Sequence, residues 1–124
     1  MKVLLVDDSR TMRNIQKRCL LDAFPGCAFA EAGDGTEALT VLSTTTGGFD
    51  LVLVDWNMPN MDGYEFLRSL RKLPGGDAPK VVFCTTENDV AHIARALHAG
   101  ANEYIMKPFD REIVEAKFQE VGLI

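Results

Sequence analysis

Leu51-Val52-Leu53-Val54-Asp55-Trp56-Asn57-Met58-Pro59 sets four apolar residues in a row and then a single carboxylate. A short apolar run bounded by turn formers reads as a strand buried on both faces, and Pro59 has no N–H with which to continue a ladder. The strand therefore stops at Asp55. Two other stretches repeat the arrangement: Val3-Leu4-Leu5-Val6 runs into Asp7-Asp8, and Tyr104-Ile105-Met106 delivers Lys107 ahead of Pro108. Apolar runs of this kind belong to parallel sheets, where ligands bind outside the carboxyl ends of the strands. Three acids and one base are placed to converge there.

The chain has 124 residues, 47% hydrophobic and 25% charged, enough apolar material for one core and one domain. Its net charge of -5 argues against a nucleic-acid footprint, which needs clustered basic surface. The apolar runs are far too short to span a bilayer. Met1-Lys2-Val3 leads into a strand without the apolar core and small-residue cleavage site of a signal peptide. Cys19, Cys27 and Cys84 are odd in number and widely spaced, with no Cys-x-x-Cys, so they read as reduced core thiols and not as a disulfide frame or zinc site. The reading is a cytoplasmic monomer that neither inserts in a membrane nor binds nucleic acid.

In order, strand and helix patterns alternate five times, with no repeat, low-complexity tract or dividing linker. The first strand is Lys2 to Val6. Ser9 or Asp8 caps a helix whose apolar stripe is Met12, Ile15, Cys19 and Ala23, ended by Pro25-Gly26. After a second strand, Ala28 to Ala32, Asp34 and Glu37 form a capping-box-like start to a helix through Ala38, Val41 and Leu42. Beyond the central strand, Asp62 and Glu65 open a third helix with the stripe Phe66, Leu67, Leu70 and Leu73. Val81-Val82-Phe83-Cys84 is a fourth strand ending at Thr85-Thr86, and Val90, Ile93, Ala94 and Leu97 mark a fourth helix stopped at Gly100. The fifth strand ends at Lys107-Pro108, and Asp110 caps a last helix with Ile113, Ala116 and Val121 inward. Such alternation implies right-handed crossovers and a parallel sheet with helices on both faces, an α/β doubly wound fold.

If the first and third strands are neighbours, Asp7, Asp8 and Asp55 lie within several ångströms of one another. Two like charges about 4 Å apart repel by roughly 4 kcal/mol at an effective dielectric of about 20. Protons or cations must offset this. Carboxylate and carbonyl oxygens are the ligands of a hard divalent cation, and Mg²⁺ characteristically keeps waters that a phosphate can displace. Lys107 adds a second positive point and Thr85 a hydroxyl on the same rim. A carboxylate nucleophile, a metal, a lysine and a hydroxyl suit phosphoryl transfer, which needs in-line positioning and charge neutralisation.

Each part has a plain structural reading when taken alone. An Asp-Asp pair is most often a solvated turn or helix cap, Met58, Met61 and Met106 are packing residues, and His92 and His98 fall on different helix faces as ordinary surface. It is the coincidence of complementary groups at four strand ends that points to a site. Gly33-Asp34-Gly35-Thr36-Glu37-Ala38 matches the G-x-G-x-x-G/A pattern of dinucleotide sites. Asp34 would face the pyrophosphate, however, and the turn follows the second strand, so turn and cap duty explains it better.

With these residues assembled, the whole chain resembles the receiver domains of two-component response regulators. The likeness rests on Val6-Asp7-Asp8-Ser9, Glu31-Ala32, Asp34-Gly35, Glu37-Ala38-Leu39, the block from Asp55 to Gly63, Thr85, Ala99-Gly100-Ala101, Tyr104 and Lys107-Pro108-Phe109. Met12-Arg13 and the Trp-Asn-Met-Pro block look most like the stand-alone chemotaxis regulators. The family's flavodoxin-like strand order, 2-1-3-4-5, comes with the resemblance and not from the spacing.

The resemblance implies one receiver domain over residues 1–124, phosphorylated on Asp55 by a histidine kinase. Asp8, Asp55 and the backbone carbonyl of Asn57 would bind Mg²⁺, with Asp7 acting through water. Lys107 would pair with a phosphoryl oxygen, its bond to Pro108 cis. Thr85 would turn its hydroxyl to the phosphoryl group and Tyr104 would change rotamer with it. A target, in chemotaxis the flagellar motor switch, would read the face of the fourth helix, fifth strand and fifth helix, and a phosphatase would reset it. Thr86 stands where the family often has a smaller residue, and its bulk would slow access to Asp55. Such a chain phosphorylates itself from a donor and is not otherwise an enzyme. Two alternatives share parts of the pattern. A haloacid-dehalogenase-like phosphatase needs an acid two positions after its nucleophile, where this chain has Asn57. A flavin-binding module needs a Ser/Thr/Gly phosphate loop where Asp7-Asp8-Ser9 stands. A receiver within a longer regulator or another phosphorelay fits the same residues.

Overall fold

Five strands and five helices alternate along the chain: β1 Lys2–Val6, α1 Arg10–Ala23, β2 Ala28–Ala32, α2 Gly35–Thr44, β3 Leu51–Asp55, α3 Gly63–Lys72, β4 Lys80–Thr85, α4 Val90–His98, β5 Glu103–Met106 and α5 Arg111–Glu120. The computed structural model describes residues 1–45, 48–56, 58–76, 78–85, 90–106 and 109–122, with Thr85 and Val90 described by their backbone. The sheet order is β2-β1-β3-β4-β5 and every pairing is parallel, as the resemblance implied. None of the described helices is long and apolar enough to cross a membrane.

Strand alternation divides the core in two. Leu4, Val6, Val52, Val54, Val81 and Phe83 face Ala38 of α2, Phe66, Leu67 and Leu70 of α3, and Ala96 of α4. Val3, Leu5, Leu51, Leu53, Val82, Cys84 and Ile105 face Leu20 of α1 and Val114 and Phe118 of α5. Each of the Val, Leu, Ile and Phe side chains, taken from water, contributes about 1.5–3 kcal/mol. The helix starts are fixed locally. Ser9, Asp34, Asp62 and Asp110 accept from the backbone N–H groups of Met12, Glu37, Glu65 and Ile113, satisfying donors the first turn leaves open.

In three helices the fully buried residues lie beside the stripe that the spacing indicated, although in α1 Cys19 and Ala23 of that stripe still pack against the core. In α1 the buried residues are Gln16 and Leu20, while Ile15 is exposed and Cys19 and Ala23 are half-buried. In α5 they are Val114 and Phe118, with Ile113 and Ala116 outside. In α4 it is Ala96, with Leu97 and Ala94 outside. Spacing sets an apolar stripe to within about one residue, and packing against the sheet decides which neighbouring residue is fully buried, even the polar Gln16 in α1. Between α1 and α5 the rings of Phe24 and Phe118 stack, 5.4 Å apart. Of the three cysteines, Cys84 is fully buried, whereas Cys19 and Cys27 are half-buried.

Gln16 is polar and outside the expected stripe, yet it is 1% exposed. Its Nε2 lies 3.5 Å from Cys84 Sγ, and its Oε1 has no hydrogen-bond partner among the described residues. A buried acceptor left unsatisfied costs about 1–3 kcal/mol. Gln16→Met keeps the length and removes the polar oxygen, so it should raise the thermal midpoint. A lowered midpoint would mean that the amide has a use.

Candidate functional site

Val6 lies beside Val54 in the β1–β3 register, so the residues that follow these strands emerge together at one edge of the sheet. Asp7 is buried, Asp8 exposed and Asp55 half-buried, and one carboxylate oxygen from each lies within 4.8 Å of the others. The expected acidic cluster is therefore present in space. All its donors are hard oxygens, the set a divalent cation of the Mg²⁺ class takes. A cleft of about 510 Å³ lined by Asp8, Met58, Pro59 and Asp62 opens beside it.

The cluster stands on a braced frame. Asp7 Oδ1 accepts from the Ser9 N–H at 2.9 Å, and the Asp7 carbonyl accepts from Arg13 Nη1. Arg13 Nε and Lys17 Nζ both reach Glu31 on β2 at 2.9 Å, tying α1 to the sheet next to Asp7. The Lys17 hydrogen bond, then that from Arg13, draws the Glu31 carboxyl below its ordinary value against the opposing effect of burial. The contribution of this clamp is present above the ordinary glutamate pKa and is lost as pH falls through the depressed one.

The segment after Asp55 is pinned from two sides. Gly63 N–H donates to the Trp56 carbonyl at 2.8 Å and Gly35 N–H to the Met61 carbonyl at 3.3 Å. Asn60, in the left-handed region at φ 67, donates from Nδ2 to Asp34 Oδ2 at 2.9 Å. Asp34 also caps α2, and its carboxyl is held below the ordinary value first by the Glu37 N–H, then by Asn60. A Cβ on Gly35 would lie 2.9 Å from Met61 Cγ. Turn, cap and close approach thus account for the glycine-rich stretch.

Trp56, one residue past the cluster, packs on Tyr64 of α3 at 5.7 Å, Phe83 of β4 at 5.4 Å and His92 of α4 at 4.6 Å and 17°. His92 is therefore a half-buried stacking residue and not the ordinary surface expected of it. Helical periodicity carried no sign of it, because the partner ring comes from a different element. His98 is exposed.

Tyr104 lies beside Phe83 in the β4–β5 register, half-buried, with Lys117 Nζ 4.7 Å from its ring centre. Thr85 ends β4 on the same edge as Asp55, paired with Met106; its side chain lies outside the described atoms. Asn57, Thr86, Lys107 and Pro108, and with them the expected cis bond, lie outside the described residues.

Residues 3–119 match the response regulator receiver domain. The chain belongs to that family. It is 40% identical over 122 residues to the chemotaxis protein CheY of Pseudomonas aeruginosa, covering 98% of this chain and 95% of that one. It is 37% identical over 121 residues to a chemotaxis protein CheY homolog of Campylobacter jejuni, covering 98% and 92%. The solved structure of chemotaxis protein CheY4 of Vibrio cholerae superposes with a TM-score of 0.85 at 32% identity, covering 97% of each chain. This is a CheY-like receiver of two-component signalling.

Proposed function

We propose that residues 1–124 form one receiver that takes a phosphoryl group from a histidine kinase onto Asp55, with Mg²⁺ held by Asp8, Asp55 and the Asn57 carbonyl and Asp7 acting through water. The observation that supports this most is the placement of three carboxylates within 4.8 Å of one another at the sheet edge. A carboxylate oxygen of Asp55 attacks phosphorus, the donor's N–P bond breaks, and the imidazole leaves with its electron pair and takes up a proton. Bound there, Mg²⁺ supplies charge neutralisation for the transferring group. Lys107 pairs with a phosphoryl oxygen, and Thr85 offers it a hydroxyl. Slow hydrolysis of the acyl phosphate, or a phosphatase, resets the chain.

The phosphoryl group adds about 1.5 to 2 negative charges. Drawing the Thr85 hydroxyl toward it shifts the balance of Tyr104 rotamers, and the altered face of α4, β5 and α5 is read by a target. The similarity to chemotaxis proteins supports a chemotaxis target such as the flagellar motor switch, met by a monomeric, cytoplasmic receiver. The phosphatase alternative lacks a proton donor at Asn57.

Loading with acetyl phosphate and Mg²⁺ tests the reading: one acid-stable, hydroxylamine-labile phosphoryl group per chain is expected, whereas phosphate on Ser or Thr would contradict it. Mg²⁺ alone should raise the melting temperature, since a ligand at a hundredfold excess over Kd stabilises the fold by about 2.7 kcal/mol. Trp56 fluorescence should change in the same titration. Silence of both signals at millimolar Mg²⁺ would refute the metal site.

A further inference from the structure

The chain is acidic overall, with a net charge of -5, yet one groove has the opposite character. It lies between α3 and α4, has a volume of about 430 Å³, and is lined by Tyr64, Arg68, Arg71, Lys72, His98 and Ala99. Past Glu65, α3 contains no acid, and α4 contains none at all. Arg95 of α4 and Arg68 of α3 both lie over the Tyr64 ring, at 4.6 and 5.8 Å from its centre. Three of the chain's thirteen Lys and Arg residues, Arg68, Arg71 and Lys72, line the groove, and Arg95 stands beside them over the Tyr64 ring.

Their employment differs. Arg71 is structural: its guanidinium donates to the Gly100, Gly76 and Pro79 carbonyls and to Asn102 Oδ1, fastening α3 to the ends of α4 and β4. Arg68, Lys72, Arg95 and His98 are exposed, and none of them is paired with a carboxylate among the described residues. Like charges gathered on facing helices repel. Such a surface is stabilised when an anion joins it.

We propose that this groove docks an acidic segment of a partner protein, on the side of α4 that faces α3 and not on the side toward β5 and α5. From Tyr64 to Lys72 the wall is about 12 Å long at the helical rise. That matches about four residues of extended chain or two turns of helix. The Tyr64 ring, backed by Trp56, holds the Arg68 and Arg95 guanidinium groups together where the segment's carboxylates would meet them. Length and sign together favour a short protein segment. A nucleic-acid backbone or an anionic membrane would extend beyond the groove onto the acidic remainder, within a Debye length of about 8 Å.

Titration of the ¹⁵N-labelled full chain with a capped hexaglutamate peptide tests this. The backbone amides of Tyr64, Arg68, Lys72, Arg95 and His98 should shift saturably, with a change in Trp56 fluorescence because Tyr64 stacks on it. Arg68→Glu with Lys72→Glu, both exposed, should melt like the parent, still accept phosphate at Asp55, and bind hexaglutamate at least about tenfold more weakly. Arg68→Gln with Lys72→Gln should fall between the two. Overturning results are shifts that are absent or lie elsewhere, equal binding by the charge-reversed protein, or the same shifts from sodium sulfate at matched ionic strength. Tighter binding of a single-stranded oligothymidylate than of the peptide would also overturn it.

Discussion

Asp55→Asn is expected to take phosphoryl loading from one group per chain to none. The amide nitrogen's lone pair is delocalised and its oxygen carries no full charge, so neither atom attacks phosphorus at a useful rate. The substitution is also the smallest change possible at that position, and Asp55 is half-buried at a strand end where an isosteric amide fits. Loss of loading with the fold intact would separate chemistry from stability. One negative charge leaves the cluster of Asp7, Asp8 and Asp55 at the same time. The Mg²⁺ response of Trp56 should therefore move to higher metal concentration, because the remaining pair attracts a divalent cation less strongly. Acid-quenched phosphate incorporation from acetyl phosphate, read with and without hydroxylamine, measures the first effect and a Trp56 titration the second. Full incorporation into the variant would place the acceptor on another residue.

How much of this was legible beforehand depended on which interaction decides each feature. Strand positions were legible because four-residue apolar runs have few other uses, and β1 and β3 fall where they were read; β2, Ala28–Ala32, does so on a shorter run interrupted by Glu31. Caps were legible because a cap is a contact between residues three apart. The faces of α1, α4 and α5 were legible only to within a residue, since spacing sets the approximate face and contact with the sheet selects which residue is fully buried. Polar character hid Gln16, whose burial follows from its place beneath the Cys84 row and not from its own chemistry. The acidic cluster was legible as chemistry from the strand ends; its closeness in space needed the pairing of β1 with β3. The stacking of His92 on Trp56 and the basic groove both join elements distant in sequence. Net charge concealed the groove, because a sum over the chain contains nothing about where the charges lie.

Gly63→Ala should be among the most damaging single-methyl changes in the molecule. Gly63 is the first residue of α3, where alanine would ordinarily be favoured by about 0.8–1 kcal/mol over glycine. Here an added Cβ would collide with the Asp55 carbonyl oxygen and lie 2.8 Å from Phe83 Cε1 and 3.1 Å from Trp56 Cα. Two of those three neighbours are backbone at the end of β3, held by the Gly63 to Trp56 hydrogen bond, so no side-chain rotation relieves the contact. Overpacking costs about 1–3 kcal/mol where side chains can adjust. Against backbone it should exceed the propensity gain by about 2 kcal/mol or more, lowering the melting temperature by about 6 °C or more. Relief requires α3 to back away or the Asp55 peptide to tilt, and the second displaces the phosphoacceptor. Loading should then slow even in the folded fraction, an effect seen by comparing rates well below the melting transition. Gly26→Ala, whose Cβ would meet nothing within 4 Å, is the control and should be close to neutral on both counts. If Gly63→Ala melts with the parent and loads at its rate, the close approach of α3 to the Asp55 carbonyl does not hold the site in place.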